Sequence, residues 1–157
     1  GPNTAQFYGV DKMNGADRYL GGTQDNGSWI SPSQPGSSTA WSHGLGGDGF
    51  EGVWNHADPD KIILTSQFNG IARSVDGGES FESARPGNDA GGGAAPFLTR
   101  IARSRQDPDR LFAVGASGIW RSDDLAASWS LIESPTYAFP FSSSTLRISR
   151  TSPHYVC

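Results

Sequence analysis

The chain of 157 residues carries a formal net charge of −4, which leaves no basic footprint for nucleic acid or an anionic membrane surface. No apolar run is long enough to span a bilayer. Twenty-one Gly and ten Pro favour many short strands and turns, while five Trp, eight Phe and four Tyr supply more aromatic burial than a disordered chain carries.

In chain order, QFYGV (Gln6–Val10) is the first candidate strand, and the Asn14-Gly15 step marks the turn after it. RYLGGT (Arg18–Thr23) follows. The Gln24-Asp25-Asn26-Gly27 turn comes next, with Asn26 and Gly27 suited to the positive φ values of a tight hairpin. SWIS (Ser28–Ser31) returns as a third strand, a proline-containing turn spans Pro32–Thr39, and AWSHGL (Ala40–Leu45) closes the unit. The second unit opens at GGDGFEGVWNHA (Gly46–Ala57) and turns at Asp58–Lys61, where Pro59 fixes φ. IILTSQF (Ile62–Phe68) is the most apolar strand, rich in residues that fit a pleated, buried surface. Asn69-Gly70 repeats the earlier turn signal. A Gly-rich connection over Arg85–Phe97 leads to TRIARSRQDPDRLFAVG (Thr99–Gly115), where Asp107–Arg110 repeats the DPDK turn. SLIES (Ser130–Ser134) ends the third unit, and LRISR (Leu146–Arg150) begins a further one.

Two stretches organise this series: GIARSVDGGESF (Gly70–Phe81) and GIWRSDDLAASW (Gly118–Trp129). Gly27, Gly70 and Gly118 stand 43 and 48 residues apart, a period suited to one four-stranded blade of roughly 40 to 50 residues. The frame Ser-x-Asp-x-Gly-x-x-aromatic resembles the Asp-box (BNR) repeat of sialidase-like β-propellers. Ser74, Asp76, Gly78 and Phe81 match it at every position. Ser122, Asp124 and Trp129 match the second copy, with Ala126 in place of the glycine.

The resemblance implies an all-β fold of four-stranded antiparallel blades, present as an open partial arc over a single domain, 1–157. The approximate units are 1–46, 47–95 and 96–146, with a further blade starting at 147–157. The chain is thus expected to be an internal piece of a larger propeller whose other blades are its missing partners. The group includes xyloglucanase-type and sialidase-type glycoside hydrolases and sortilin-type receptors, which implies an extracellular or periplasmic location. The Asp-box residues are expected to cap turns by bonding local backbone groups. Phe81 and Trp129 should pack between sheets, and Arg73 and Arg121 should make repeated structural contacts.

Alternating strands put the DPD turns and the Ser-x-Asp turns on one face, and the remaining connections on the other. By resemblance, the second face carries the site. Asp25 and Asp48 are its candidate catalytic acids, with Gln24, Asn26, Glu51, Asn69 and Asp89 as candidate ligand-binding residues. Two carboxylates are what glycoside hydrolysis requires. The alternative is that both acids stabilise Gly-rich turns. Trp54 is assigned to the core. The Arg-Ile-Pro motif and Tyr/Glu pair of sialidases do not appear. His43, His56 and His154 lack zinc-type spacing, no GxSxG elbow is present, and Cys157 cannot close an internal disulfide. No metal or cofactor is called for. The expected function is binding of an extracellular ligand, with a glycan foremost; a glycoside hydrolase and a protein-binding receptor or scaffold are the alternatives.

Overall fold

The computed structural model describes residues 5–87, 95–115 and 118–133. These residues form three four-stranded antiparallel sheets, each a simple meander. The first holds β1 (Phe7–Lys12), β2 (Tyr19–Thr23), β3 (Gly27–Ile30) and β4 (Ser42–Leu45). The second holds β5 (Gly49–Trp54), β6 (Ile62–Ser66), β7 (Gly70–Ser74) and β8 (Glu82–Ser83). The third holds β9 (Ile101–Arg103), β10 (Leu111–Gly115), β11 (Gly118–Ser122) and β12 (Ser130–Glu133). The sheets form an open arc of three propeller blades. No helix among the described residues is long and apolar enough to cross a membrane.

The run Ile62-Ile63-Leu64 is apolar without alternation because β6 is covered on both sides, and all three side chains have no exposed area. Ile62 and Leu64 join Leu20, Ile30, Trp54 and Phe81 between the first and second blades. Ile63 points the other way and joins Val53, Ile71, Leu111 and Trp129 between the second and third. Phe81 and Trp129 therefore occupy the inter-blade positions expected of them. Each fully buried aliphatic side chain contributes about 1.5 to 3 kcal/mol relative to exposure, so these two layers are the main source of cohesion.

Glycine permits the closest approach between the first two blades. A Cβ on Gly22 would lie 2.2 Å from the Phe50 carbonyl oxygen, and one on Gly49 would lie 2.4 Å from that of Gly27. Backbone thus packs directly on backbone where the β2–β3 turn meets the entry to β5.

The innermost strands, β1, β5 and β9, converge through polar groups. The Trp54 N–H donates to Asp11 Oδ2 at 2.8 Å, and Arg103 donates to both Asp11 oxygens at 2.8 and 3.2 Å and also to the Trp54 carbonyl. Asp11 and Arg103 belong to blades one and three, so this clasp ties their innermost strands together across the blade between them. A cleft of about 260 Å³ lies along this inner wall.

Candidate functional site

The Ser-x-Asp turns define the first face. Ser74 Oγ accepts the Gly78 N–H at 3.0 Å and donates to Asp76 Oδ1 at 2.6 Å. Asp76 also accepts the Ser80 N–H at 3.0 Å and the Ser80 hydroxyl at 2.5 Å. The second copy repeats this pattern through Ser122, Asp124, the Ala126 N–H and Ser128. Both acids are thus occupied by their own turns. Hydrogen bonds from Ser74 and then Ser80 hold the Asp76 carboxyl well below its ordinary value. Burial pushes Asp124 upward, but bonds from Ser128 and Ser122 and the nearby Arg73 charge outweigh it, and the net shift is downward. Arg73 pairs with Glu82 at 2.7 Å and Arg121 with Asp123 at 2.6 Å, which accounts for both repeated arginines within the blades.

On the second face, the β2–β3 turn holds Gln24, Asp25 and Asn26, all exposed. Thr23 pairs with Gly27, so the loop has three residues, and the positive φ values fall on Asp25 (59°) and Gly27 (79°). Asn26 does not adopt one. The extra loop residue moves the left-handed position one place earlier than a two-residue hairpin would need it. The Asn26 side chain donates to the Gln24 backbone carbonyl at 2.9 Å, and the Asn26 backbone carbonyl accepts Trp29 Nε1–H at 2.7 Å. The Gln24 N–H donates to the Gln6 carbonyl at 3.0 Å, tying the turn to the lead-in of β1.

Asp48 reaches this turn from the crossover between blades. Its Oδ1 accepts the Asp25 N–H at 2.8 Å, while its own N–H donates to Gln67 Oε1 at 2.8 Å. The two candidate acids are therefore brought together, with the Asp48 carboxylate directed at Asp25 backbone. Glu51 and Asn69 have other partners. Glu51 accepts from Arg100 at 3.0 Å and from the Ile101 N–H at 2.8 Å, joining blades two and three. Asn69 is fully buried, donating from its N–H to Thr99 Oγ1 and from Nδ2 to the Val114 carbonyl, both at 2.8 Å. Asp89 lies outside the described residues.

The sequence reading did not single out Gln67 or the aromatic arc beside it. Ring centroids step from Tyr8 to Phe50 at 5.0 Å, from Phe50 to Phe97 at 5.7 Å and from Phe97 to Phe68 at 5.3 Å. Phe50 is buried, whereas Tyr8 and Phe97 are 39% and 40% exposed. Gln67-Phe68-Asn69-Gly70 copies the frame of Gln24-Asp25-Asn26-Gly27, so Gln67 had a sequence signal. The arc had none, because its rings come from four separate segments. Among the described residues, no group of three His, Cys, Asp or Glu is placed to hold a metal ion.

YCF48 from Cyanidioschyzon merolae superposes with a TM-score of 0.54 at 16% identity, covering 83% of this chain and 38% of that one. The chain is an arc of a β-propeller. An ancestral GH74 enzyme aligns at a TM-score of 0.42 and 13% identity, over 83% of this chain and 24% of the enzyme. The chain thus spans well under half the length of either protein. No protein-family model and no curated protein sequence matches it.

Proposed function

We propose that this arc is part of an Asp-box propeller that works in the extracellular space or periplasm and binds a glycan on its second face. The Asp-box assignment is supported by the matching bonds of the turns at Ser74 and Ser122. The glycan reading is carried by the aromatic arc, in which exposed Tyr8 and Phe97 flank buried Phe50. Beside it stands the polar junction of Asp25, Asp48 and Gln67. A pyranose ring offers an apolar C–H face for an aromatic ring and hydroxyl donors for carboxylate and amide oxygens, the pairing this face supplies.

Binding is favoured over hydrolysis by the state of the carboxylates. A glycosidase needs two acids free to act on opposite sides of one bond. Asp48 accepts a backbone N–H and Glu51 is paired with Arg100, so Asp25 is the carboxylate of this set that faces solvent. Glycan-array binding combined with hydrolysis assays tests the proposal. Tyr8→Ala and Phe97→Ala should each weaken retention of a bound glycan by about tenfold in the folded fraction, and the melting midpoint should fall modestly as the ring contacts to Phe50 are lost. Turnover abolished by Asp25→Asn or Asp48→Asn would replace this reading with a glycoside hydrolase. Retention of no glycan at all would sink both.

A further inference from the structure

We infer that Asn14 is a site of spontaneous covalent modification, where attack by the Gly15 nitrogen converts the side-chain amide to aspartate and isoaspartate, and that the fold shields the other Asn-Gly steps. The chain holds Asn14-Gly15, Asn26-Gly27 and Asn69-Gly70. Sequence makes them equals, since in each the glycine carries no side chain to crowd its nitrogen. The structure ranks them.

In this reaction the glycine nitrogen forms a bond to the asparagine Cγ, the Cγ–Nδ2 bond breaks, and ammonia leaves as an imide ring closes. Water then opens the ring at either carbonyl, so the net change is one water consumed and one ammonia released. Ring closure requires the backbone to rotate until nitrogen and Cγ meet. A clamped glycine resists that rotation.

At Asn14-Gly15 both residues are exposed, and a Cβ on Gly15 would meet nothing within 4 Å. Asn14 Nδ2 donates to the His56 carbonyl at 3.1 Å, an exposed bond that water can replace. The step borders a cleft of about 380 Å³ shared with Lys12, Met13, His56 and Arg103, which gives the turn room and admits the water. At Asn26-Gly27 the asparagine is exposed but the glycine is buried. Gly27 pairs with Thr23 in the β2–β3 ladder, its carbonyl accepts the Thr23 hydroxyl at 2.8 Å, and a Cβ on it would lie 2.6 Å from His43 Nε2. At Asn69-Gly70 both residues are buried, and Asn69 is bonded to Thr99 and Val114. Reaction at either shielded step waits on local opening, and each kcal/mol or so of opening free energy slows it severalfold.

Modification at Asn14 also alters the junction of two blades. Either product carries a carboxylate, which accepts hydrogen bonds and cannot donate one to the His56 carbonyl, so the tie from the β1–β2 turn to the second blade is lost. Isoaspartate further lengthens the backbone of that turn.

Incubation of the full chain in mildly alkaline buffer, followed by tryptic mapping, tests the inference. Cleavage after Lys12, Arg18, Lys61 and Arg73 places the three steps in separate peptides, 13–18, 19–61 and 62–73. With the chain folded, conversion at Asn14 should outpace that at Asn26 by about tenfold or more, and that at Asn69 by a wider margin. In denaturant the three rates should converge to within a few-fold. Isoaspartate in peptide 13–18 should accept a methyl group from S-adenosylmethionine in the presence of an isoaspartyl methyltransferase. Asn14→Gln keeps an amide but must close a larger, slower ring, so peptide 13–18 should then stay unmodified over the same period. Conversion at Asn26 or Asn69 as fast as at Asn14 in the folded chain overturns the inference. A ranking that persists unchanged in denaturant overturns it equally, because flanking sequence and not the fold would then set the rates.

Discussion

Two pairs of repeated turns in this molecule have diverged to different degrees. The turns at Ser74–Ser80 and Ser122–Ser128 keep the same bonds. Ser Oγ accepts the N–H four residues on at 3.0 and 2.8 Å, and the Asp accepts the following Ser N–H at the same two distances. The turns at Gln24–Gly27 and Gln67–Gly70 keep only a frame. Both place their second residue at a positive φ, 59° for Asp25 and 56° for Phe68. One tip is an exposed carboxylate, and the other is a ring set edge-to-face with Phe97. Asn26 is exposed, whereas Asn69 is buried under the third blade. A turn whose side chains are consumed by its own backbone cannot vary without unfolding. A turn held by groups from outside can change its tip freely, and a ligand can use that freedom.

The largest effect should come from breaking the junction that supports the second face. Gly22→Ala places a methyl group 2.2 Å from the Phe50 carbonyl oxygen and 2.3 Å from two further backbone atoms, none of which can swing aside. Blades one and two must then separate locally, at a cost of about 3 kcal/mol or more in urea-induced unfolding. A loss under about 1 kcal/mol would show that this junction yields readily and does not fix the Asp25 turn.

Next in size is a test of the degraded second box. Gly78 sits at φ 91°, and a Cβ there would lie 2.8 Å from Ile30 Cδ1, so Gly78→Ala should cost about 2 kcal/mol from backbone strain and contact together. Ala126 holds the equivalent position at φ 63° with its methyl buried. Ala126→Gly relieves the strain but gives up methyl burial and adds chain entropy in the unfolded state, so it should stay within about 0.5 kcal/mol of parental. Equal losses from both changes would show that the two turns are not equivalent.

The same turns should govern acid stability. Asp76 and Asp124 are both shifted below their ordinary value of 3.8 in the folded chain. A depressed folded-state pKa means the unfolded state binds the proton first. The stabilisation is therefore fully present above the unfolded value and is lost as pH falls below about 4 toward the folded value. Asp76→Asn should lower the melting midpoint above about pH 5, where the stabilisation is fully present, and flatten its further fall with acidification in that window. An unaltered acid limb would mean that Asp76 does not stay ionised through its turn bonds.

Local pattern carried most of the fold to the surface of the sequence. The glycine period, the paired Ser-x-Asp frames and the apolar Ile62–Leu64 run placed strands whose order and burial the structure reproduces. Ser80 and Ser128 each precede the aromatic of their frame and donate a hydroxyl to its acid, a bond that the Ser-x-Asp frame alone does not specify. The site was less legible for a physical reason. Glu51 and Asn69 stand on the second face by topology, yet neighbouring blades supply partners that occupy them. Sequence orders strands within a blade but does not give the rotation of one blade against the next. The contacts of Tyr8, Phe50 and Phe97 depend on that rotation.

The smallest expected change in stability isolates the tip of the first turn. Asp25→Asn leaves the backbone N–H donating to Asp48 and preserves side-chain size, and Asn tolerates the left-handed region at least as well as Asp. The side chain is exposed and its carboxylate holds up no neighbouring segment, so the unfolding free energy should move by less than about 0.5 kcal/mol. The same substitution at Asp76 removes an acceptor engaged by Ser74 and Ser80 and should lower the melting midpoint clearly. Parallel melts of the two variants thus measure the contrast between a turn whose acid is consumed by its own backbone and one whose acid is left to solvent. A drop at Asp25 as large as that at Asp76 would place both acids in the structural class and remove the reason to look for a ligand at the first turn.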